Sequence, residues 1–316
     1  MARGKQLKKT ITSECLLTTA AEEFYERNKV KGLAAATQKS YRDYVGTFAN
    51  WCGEDFILSD IDSRLMDNYM AEKINGGMKS VTVATHMRHL RAFINFCNSR
   101  GYVGEVEVII PKFEKELKEP YTDEEMALLL KKPSSNNWVE YRSWVMVNYF
   151  FATGQRLSTV LHIKVSDLDF KNSRVKLEWN KDKIKKWMPL SSAIVKVLKE
   201  YIDVSDLAPQ DYLFPEYEGK QLKIPSAQCA IANYNRERGV SKTSIHLFRH
   251  TFAKNYIMAG GSAAKLQKLM NHKTMDMTMR YVNLYSEDIA NDLDLFNPLD
   301  SFNRANYAPK ARKTIK

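Results

Sequence analysis

Apolar residues recur at helical spacing through most of this chain. Between Ser13 and Gly101 the pattern reads as four helices. The second is the clearest: Tyr41, Tyr44, Val45, Phe48 and Cys52 share one face, Thr37 is the expected N-cap, and Gly53 is the expected stop. The fourth is expected to begin near Ser80, to align Val83, Met87, Leu90, Ile94 and Cys97, and to end at Gly101. These stripes face a core. Opposite them lie Lys39 and Arg42 on the second helix, and Arg88 and Arg91 on the fourth.

From Pro111 to Pro120 the chain reads Pro-Lys-Phe-Glu-Lys-Glu-Leu-Lys-Glu-Pro. A charged run without apolar period, bracketed by prolines, is expected to be a linker. The resulting division is a basic tail over 1–12, a first domain over 13–110, the linker over 111–120, a second domain over 121–297 and a basic tail over 298–316. The second domain opens on Thr122-Asp-Glu-Glu125, a capped helix start leading into Met126, Leu129 and Leu130. Further helices are predicted over Trp138–Ala152, Arg156–His162, His246–Ala259, Ser262–Met270, Thr274–Tyr285 and Glu287–Phe296. One strong strand signal stands among them. Val175, Leu177 and Trp179 alternate with Lys176 and Glu178, a turn with Lys181, Lys183, Lys185 and Lys186 follows, and Trp187-Met-Pro-Leu190 returns. The fold expected is mainly α: a four-helix N-terminal domain, then an α-rich domain carrying a small antiparallel β-hairpin or sheet, the hairpin having a basic tip.

Composition narrows the class. The 316 residues exceed the usual size of one core, and 44% hydrophobic with 27% charged residues is ordinary for a globular chain. The richest apolar run, Trp144 to Phe151, contains Asn148 and falls well short of the ~18 residues a membrane helix needs. The first twenty residues lack the apolar segment and small-residue cleavage site of a secretory signal. Cys15, Cys52, Cys97 and Cys229 stand far apart, which argues against a zinc site or disulfide scaffold and fits a reducing, cytoplasmic location. A net charge of +11 and a pI near 9.3 favour a polyanionic partner.

The chemistry-bearing residues are sparse and ordered. The chain has no GxxxxGK[ST] loop, no GxGxxG, no GxSxG, no HExxH, and no tight carboxylate cluster of the kind a two-metal nuclease needs. Instead, Thr153-Gly154-Gln155-Arg156 places an arginine at a helix mouth, and Lys181 stands where the hairpin's first strand meets its turn. His246-Leu-Phe-Arg249-His-Thr puts His246 and Arg249 on one helix face. His272 and then Tyr281 follow. Each alone reads as a structural or solvated residue.

Together, in this order and spacing, they resemble the tyrosine recombinase (phage integrase) family. Ala152-Thr-Gly-Gln-Arg156 resembles its first box, Lys181 its hairpin lysine, His246-Leu-Phe-Arg249 its second box, and Asn271-His272 with Met279-Arg-Tyr281 its last. The resemblance covers Thr122–Phe296, and the N-terminal helices resemble the family's SAM-like core-binding domain more loosely. Asn271 departs from the pattern by standing where glycine usually precedes the second histidine. Thr159 departs by standing where an acidic residue often follows the first arginine.

The resemblance implies Arg156, Lys181, His246, Arg249, His272 and Tyr281 as catalytic residues, Tyr281 being the nucleophile, with no cofactor and no metal. Two arginine forks can balance charge on a phosphodiester transition state. His246 and His272 can donate hydrogen bonds or accept the nucleophile's proton, and Lys181 is suited to protonate the departing 5′-hydroxyl. A phenol, with pKa ~10, needs a cationic pocket or a base to react at neutral pH. Tyr285 lies one turn beyond Tyr281 and is expected to pack or to touch the DNA backbone.

The expected partner is double-stranded DNA with an inverted-repeat core site, clamped by the two domains, with Lys39, Arg42, Arg88, Arg91 and Lys183 as phosphate contacts. The family further implies a 3′-phosphotyrosine intermediate, a homotetramer on two duplexes, an accessory DNA-bending or directionality factor, and a bacterial or phage-encoded, nucleoid-associated protein. With only twelve residues before Ser13, no added arm-binding domain is expected there. A compact integrase, a chromosome-dimer resolving enzyme and a transposon recombinase all fit. So do two alternatives: a type IB topoisomerase-like enzyme, and a catalytically decayed DNA-binding relative. The acidic segment with Ile289, Leu293 and Phe296 in an apolar stripe is expected to dock on its own domain or on a neighbouring protomer.

Overall fold

Four α-helices form the first part of the chain: α1 (Leu17–Val30), α2 (Ala35–Cys52), α3 (Ser63–Asn75) and α4 (Ser80–Arg100). The computed structural model describes residues 15–113, 119–178 and 186–285, and the chain divides into two compact units between Leu117 and Lys118. In the first unit α4 is the central helix. Its expected stripe is fully buried, and Phe93 and Phe96 on the same helix place their rings 5.5 and 5.3 Å from that of Phe24 on α1. Gly101 ends α4 with φ +81, a left-handed conformation that glycine adopts without a Cβ penalty.

The expected Thr37 cap is corrected. Helix α2 starts at Ala35 after Ala34, and the Thr37 amide already donates to the Ala34 carbonyl. Ala34 to Ala36 are strong helix formers, so the helix extends upstream of the first polar capping candidate.

The second unit contains α5 (Asp123–Leu130), α6 (Trp138–Thr153), α7 (Leu157–Val160), a small sheet, α8 (Ser192–Val204), α9 (Ile224–Glu237), α10 (Ile245–Met258), α11 (Ala263–Leu269) and α12 (Asp276–Tyr285). Thr122 and Glu125 form the reciprocal capping box that the sequence suggested for α5. Helix α6 is buried on nearly every side, with Trp144 to Val147, Tyr149 and Phe150 inside, because α8, α9 and α10 all pack on it. The helix ends at Gly154 (φ +59).

The small antiparallel sheet has three strands, the expected hairpin plus one more at its edge: β1 (Leu168–Asp169), β2 (Arg174–Leu177) and β3 (Lys186–Pro189). Strand β1 pairs Leu168 with Val175, and β2 pairs Val175 with Met188 and Leu177 with Lys186. Two residues are too few to show alternation, so β1 left no sequence pattern. Trp179, Lys181, Lys183 and Lys185 lie outside the described residues, as do both tails, part of the linker and the Glu287–Phe296 segment.

Helix α10, which carries the second box, is fixed by a buried polar knot. The Tyr121 amide donates to the Thr251 hydroxyl. The Tyr121 hydroxyl reaches the Lys242 and Ser244 carbonyls at 3.2 and 3.3 Å and accepts from Asn235 Nδ2 at 2.9 Å. Asn235 Nδ2 also donates to the Lys242 carbonyl at 2.8 Å. The entry to α5, the end of α9 and the start of α10 are thereby tied at one point. No helix among the described residues is long and apolar enough to cross a membrane.

Candidate active site

Arg249 organises the site. It projects from α10, is only 3% exposed, and sits between two helix ends. Its Nη1 donates to the carbonyl of Gly154, the cap residue of α6, and its Nη2 to the carbonyl of Met270, the cap residue of α11, both at 2.6 Å. Helix C-termini carry unsatisfied carbonyls and partial negative charge, so two of them can hold a buried cation without a carboxylate. Burial, and then the neighbouring Arg156 charge, lower the Arg249 pKa to about 10, which still leaves it charged at neutral pH.

Arg156 stands at the N-terminal mouth of α7 and shares an open cavity with Arg249, Lys186, Thr159 and Asn271. Its Nη1 donates to the Asn271 carbonyl at 3.4 Å, the kind of alternative partner that Thr159, lacking a carboxylate, makes necessary. Asn271 has φ +49, the left-handed region that glycine favours and asparagine tolerates, which accounts for asparagine at this position. Its Oδ1 accepts from Lys186 Nζ at 2.7 Å.

His272, at the end of the same turn, is 8% exposed, and its Nδ1 lies 2.8 Å from the Thr278 hydroxyl. Burial first, and then the Arg249 and Arg156 charges, push its pKa down to about 4, so the imidazole is neutral at neutral pH. Its ring lies parallel to that of Tyr281, 5° between planes and 6.2 Å between centroids.

Tyr281, on α12, is 6% exposed and packs with Ala253, Leu266 and Met270. Burial raises its pKa, outweighing the opposing Arg249 and Arg156 charges, so, of the cationic pocket or base that the phenol was expected to need, the arginine charges alone do not make it acidic. Its hydroxyl is 2.9 Å from Nδ1 of His250. His246 is exposed one turn before His250, and the two rings meet edge-on with centroids 4.8 Å apart. Tyr285 is half-buried against the same apolar cluster, and burial raises its pKa as well.

Arg156, Arg249, His246, His272 and Tyr281 therefore gather around α10, while Lys181 and Lys183 lie outside the described residues. His250, Lys186 and Thr278 join the group and were missed. The signal for His250 was its position one helical turn after His246 on the same face. Among the described residues, no group of three His, Cys, Asp or Glu is placed to hold a metal ion.

The phosphate-contact candidates of the first unit are exposed to different ends. Lys39 is open, Arg42 pairs with Glu22 at 3.7 Å and lies over the Tyr25 ring, and Arg88 lies over the Phe113 ring. Arg91 directs Nε and Nη2 to the Val108 carbonyl, so its helix-face position also ties down the chain after α4.

Two predictions follow from this geometry. A Cβ added at Gly154 would lie 2.4 Å from the Phe252 ring in a left-handed backbone conformation. Gly154→Ala should therefore cost about 1–3 kcal/mol and displace the carbonyl that holds Arg249, read as a lowered Tm. His272 has a folded pKa of about 4 against 6.5 for the ordinary group. Its neutral form stabilises the fold fully above pH 6.5, and that contribution is lost as the pH falls through this window. Over that range the wild type should lose on the order of 2–3 kcal/mol that His272→Asn does not lose, measured by urea denaturation at several pH values. Equal pH slopes would remove His272 as a buried neutral group.

Residues 120–288 match the model of the phage integrase family, and residues 16–107 match that of the phage integrase SAM-like domain. The chain is 24% identical over 296 residues to tyrosine recombinase XerD of Staphylococcus aureus strain Mu50, covering 89% of this chain and 99% of that one. In fold it resembles lambda integrase (residues 75–356), solved as a dimer bound to a COC′ core site, with TM-score 0.70, 16% identity and coverage of 84% and 95%. It also resembles the XerH site-specific recombinase bound to palindromic difH substrate, with TM-score 0.70, 16% identity and coverage of 89% and 85%. The family model spans the whole set from Arg156 to Tyr281, and this chain belongs to the phage integrase family, the tyrosine recombinases.

Proposed function

We propose that this chain is a site-specific DNA recombinase in which Tyr281 attacks a phosphodiester held by Arg156 and Arg249. The observation that carries the reading is Arg249, a buried charged guanidinium locked between two helix ends beside Arg156, His272 and Tyr281. Two carbonyls take two of its five N–H donors, which leaves donors for an anion. A trigonal-bipyramidal phosphorus with charge on its non-bridging oxygens is the anion that two guanidinium forks suit.

In the proposed step the phenol oxygen forms a bond to phosphorus and the 5′-oxygen leaves, with Lys181 supplying its proton. The 3′-phosphotyrosine conserves the bond for attack by another strand's 5′-hydroxyl. Because bond energy is stored in the adduct, the cycle requires no nucleotide hydrolysis, and because the arginines supply the positive charge, it requires no metal. Neutral His272 serves as a hydrogen-bond donor to the phosphate when the Thr278 hydroxyl donates to Nδ1 and the proton stays on Nε2. The two units, joined through residues 111–120, act as core-binding and catalytic domains. The protein works as a homotetramer on two duplexes with inverted-repeat core sites, with an accessory factor setting direction. Lys39, Arg42, Arg88, Arg91 and Lys183 contact phosphates.

A pool of nicked duplexes of randomised sequence provides the test, since a nick just downstream of the cleaved phosphate lets the short fragment bearing the 5′-hydroxyl diffuse away and traps the adduct. The wild-type chain should become covalently linked to a subset of the pool. Tyr281→Phe should bind the recovered duplex with unchanged affinity and form no adduct, while Tyr285→Phe should still be trapped. Arg249→Lys keeps the charge and loses the fork, and should slow adduct formation on the order of 10²-fold or more. An adduct that survives Tyr281→Phe removes this tyrosine as nucleophile.

A further inference from the structure

We infer that His250 is the proton acceptor for Tyr281, a role resting on the strand-transfer reading above. Three geometric observations point to it. Its Nδ1 is 2.9 Å from the Tyr281 hydroxyl, within direct transfer distance. It follows Arg249 directly on α10, so the helix that fixes the phosphate-binding arginine also fixes the base relative to it. The competing imidazole, His272, lies parallel to the Tyr281 ring and presents its Nδ1 to Thr278.

The surroundings make a base necessary. Burial holds the Tyr281 phenol above its ordinary pKa despite two nearby arginines. His272 is a weak base there because its own pKa is pushed down to about 4. His246 is exposed, edge-on to the His250 ring, and forms the solvent side of the pair.

In the forward step the Tyr281 oxygen bonds to phosphorus, its proton passes to His250 Nδ1, the bond from phosphorus to the 5′-oxygen breaks, and that oxygen takes a proton from a separate acid. In the return step a 5′-hydroxyl attacks phosphorus and gives its proton to the conjugate base of that acid, the bond from phosphorus to the Tyr281 oxygen breaks, and His250 gives the proton back to the departing phenolate. The neutral Nε2–H tautomer is the one that accepts at Nδ1.

The experiment uses the full chain and a nicked duplex recovered by covalent capture from the randomised pool. His250→Gln keeps a polar side chain and lacks basicity, and should slow adduct formation on the order of 10²-fold while duplex affinity stays within about twofold. Replacing Tyr281 with a fluorotyrosine, whose phenol is more acidic, should shrink the His250→Gln deficit at least tenfold. A purely packing role would leave that deficit unchanged. A 5′-bridging phosphorothiolate, whose sulfur departs without a proton, should not restore the variant.

Three results would overturn the assignment: adduct formation by His250→Gln within threefold of wild type, a deficit insensitive to the fluorotyrosine, or rescue by the phosphorothiolate. Where His250→Gln loses duplex binding, His250→Asn with the same fluorotyrosine comparison takes its place. Absence of any wild-type adduct would instead sink the strand-transfer reading itself.

Discussion

A guanidinium 3% exposed must have its charge met, and in this fold two helix carboxy ends meet that of Arg249. The rest of the site depends on that constraint. Helix α6 must end at Gly154, and it does so through a left-handed glycine whose Cα faces the Phe252 ring too closely for any side chain. Helix α11 must end at Met270, and the turn that ends it places Asn271 and His272 in succession. The same two ends bring Arg156, two residues after Gly154, and His272, two residues after Met270, close to one cation. A single buried charge thus sets the register of three separate sequence boxes.

The electrostatic consequences divide the labour among the side chains. Positive charge and burial act together on His272 and keep it neutral, so it is suited to hydrogen bonding rather than to proton storage at neutral pH. On Tyr281 they act in opposition, and burial prevails. Tyr281 is therefore held as a phenol inside a small apolar cluster of Ala253, Leu266 and Met270. In the proposed strand transfer, DNA binding has to supply either exposure of the hydroxyl or removal of its proton, and the hydrogen bond to His250 offers a route for the second.

The helices with one-sided patterns were legible in the sequence. Every residue of the α4 stripe is buried, and the glycine stop at 101 stands where the apolar period ends. Legibility failed where an element carries no period. Strand β1 is two residues long, whereas α8 and α9 were not among the predicted helices even though α8 buries Ile194, Val195, Leu198 and Tyr201 at helical spacing. Thr37 misled because residue type suggested a cap, whereas the alanines before it extend the helix. At the site, the order and spacing that resemble the family singled out Arg156, Arg249, His246, His272 and Tyr281, residues that the fold brings together. They did not reveal the contact between His250 and Tyr281, because it joins α10 to α12 across 31 positions and only folding brings them within hydrogen-bonding distance.

The account stands most directly on which atom becomes bonded to DNA. Protein trapped on a nicked duplex can be digested with nuclease and protease, and the modified peptide sequenced by tandem mass spectrometry. The account predicts one peptide, carrying a nucleotide through its 3′-phosphate on the Tyr281 oxygen. A nucleotide on Tyr285 or any other residue, or one linked through a 5′-phosphate, would contradict it.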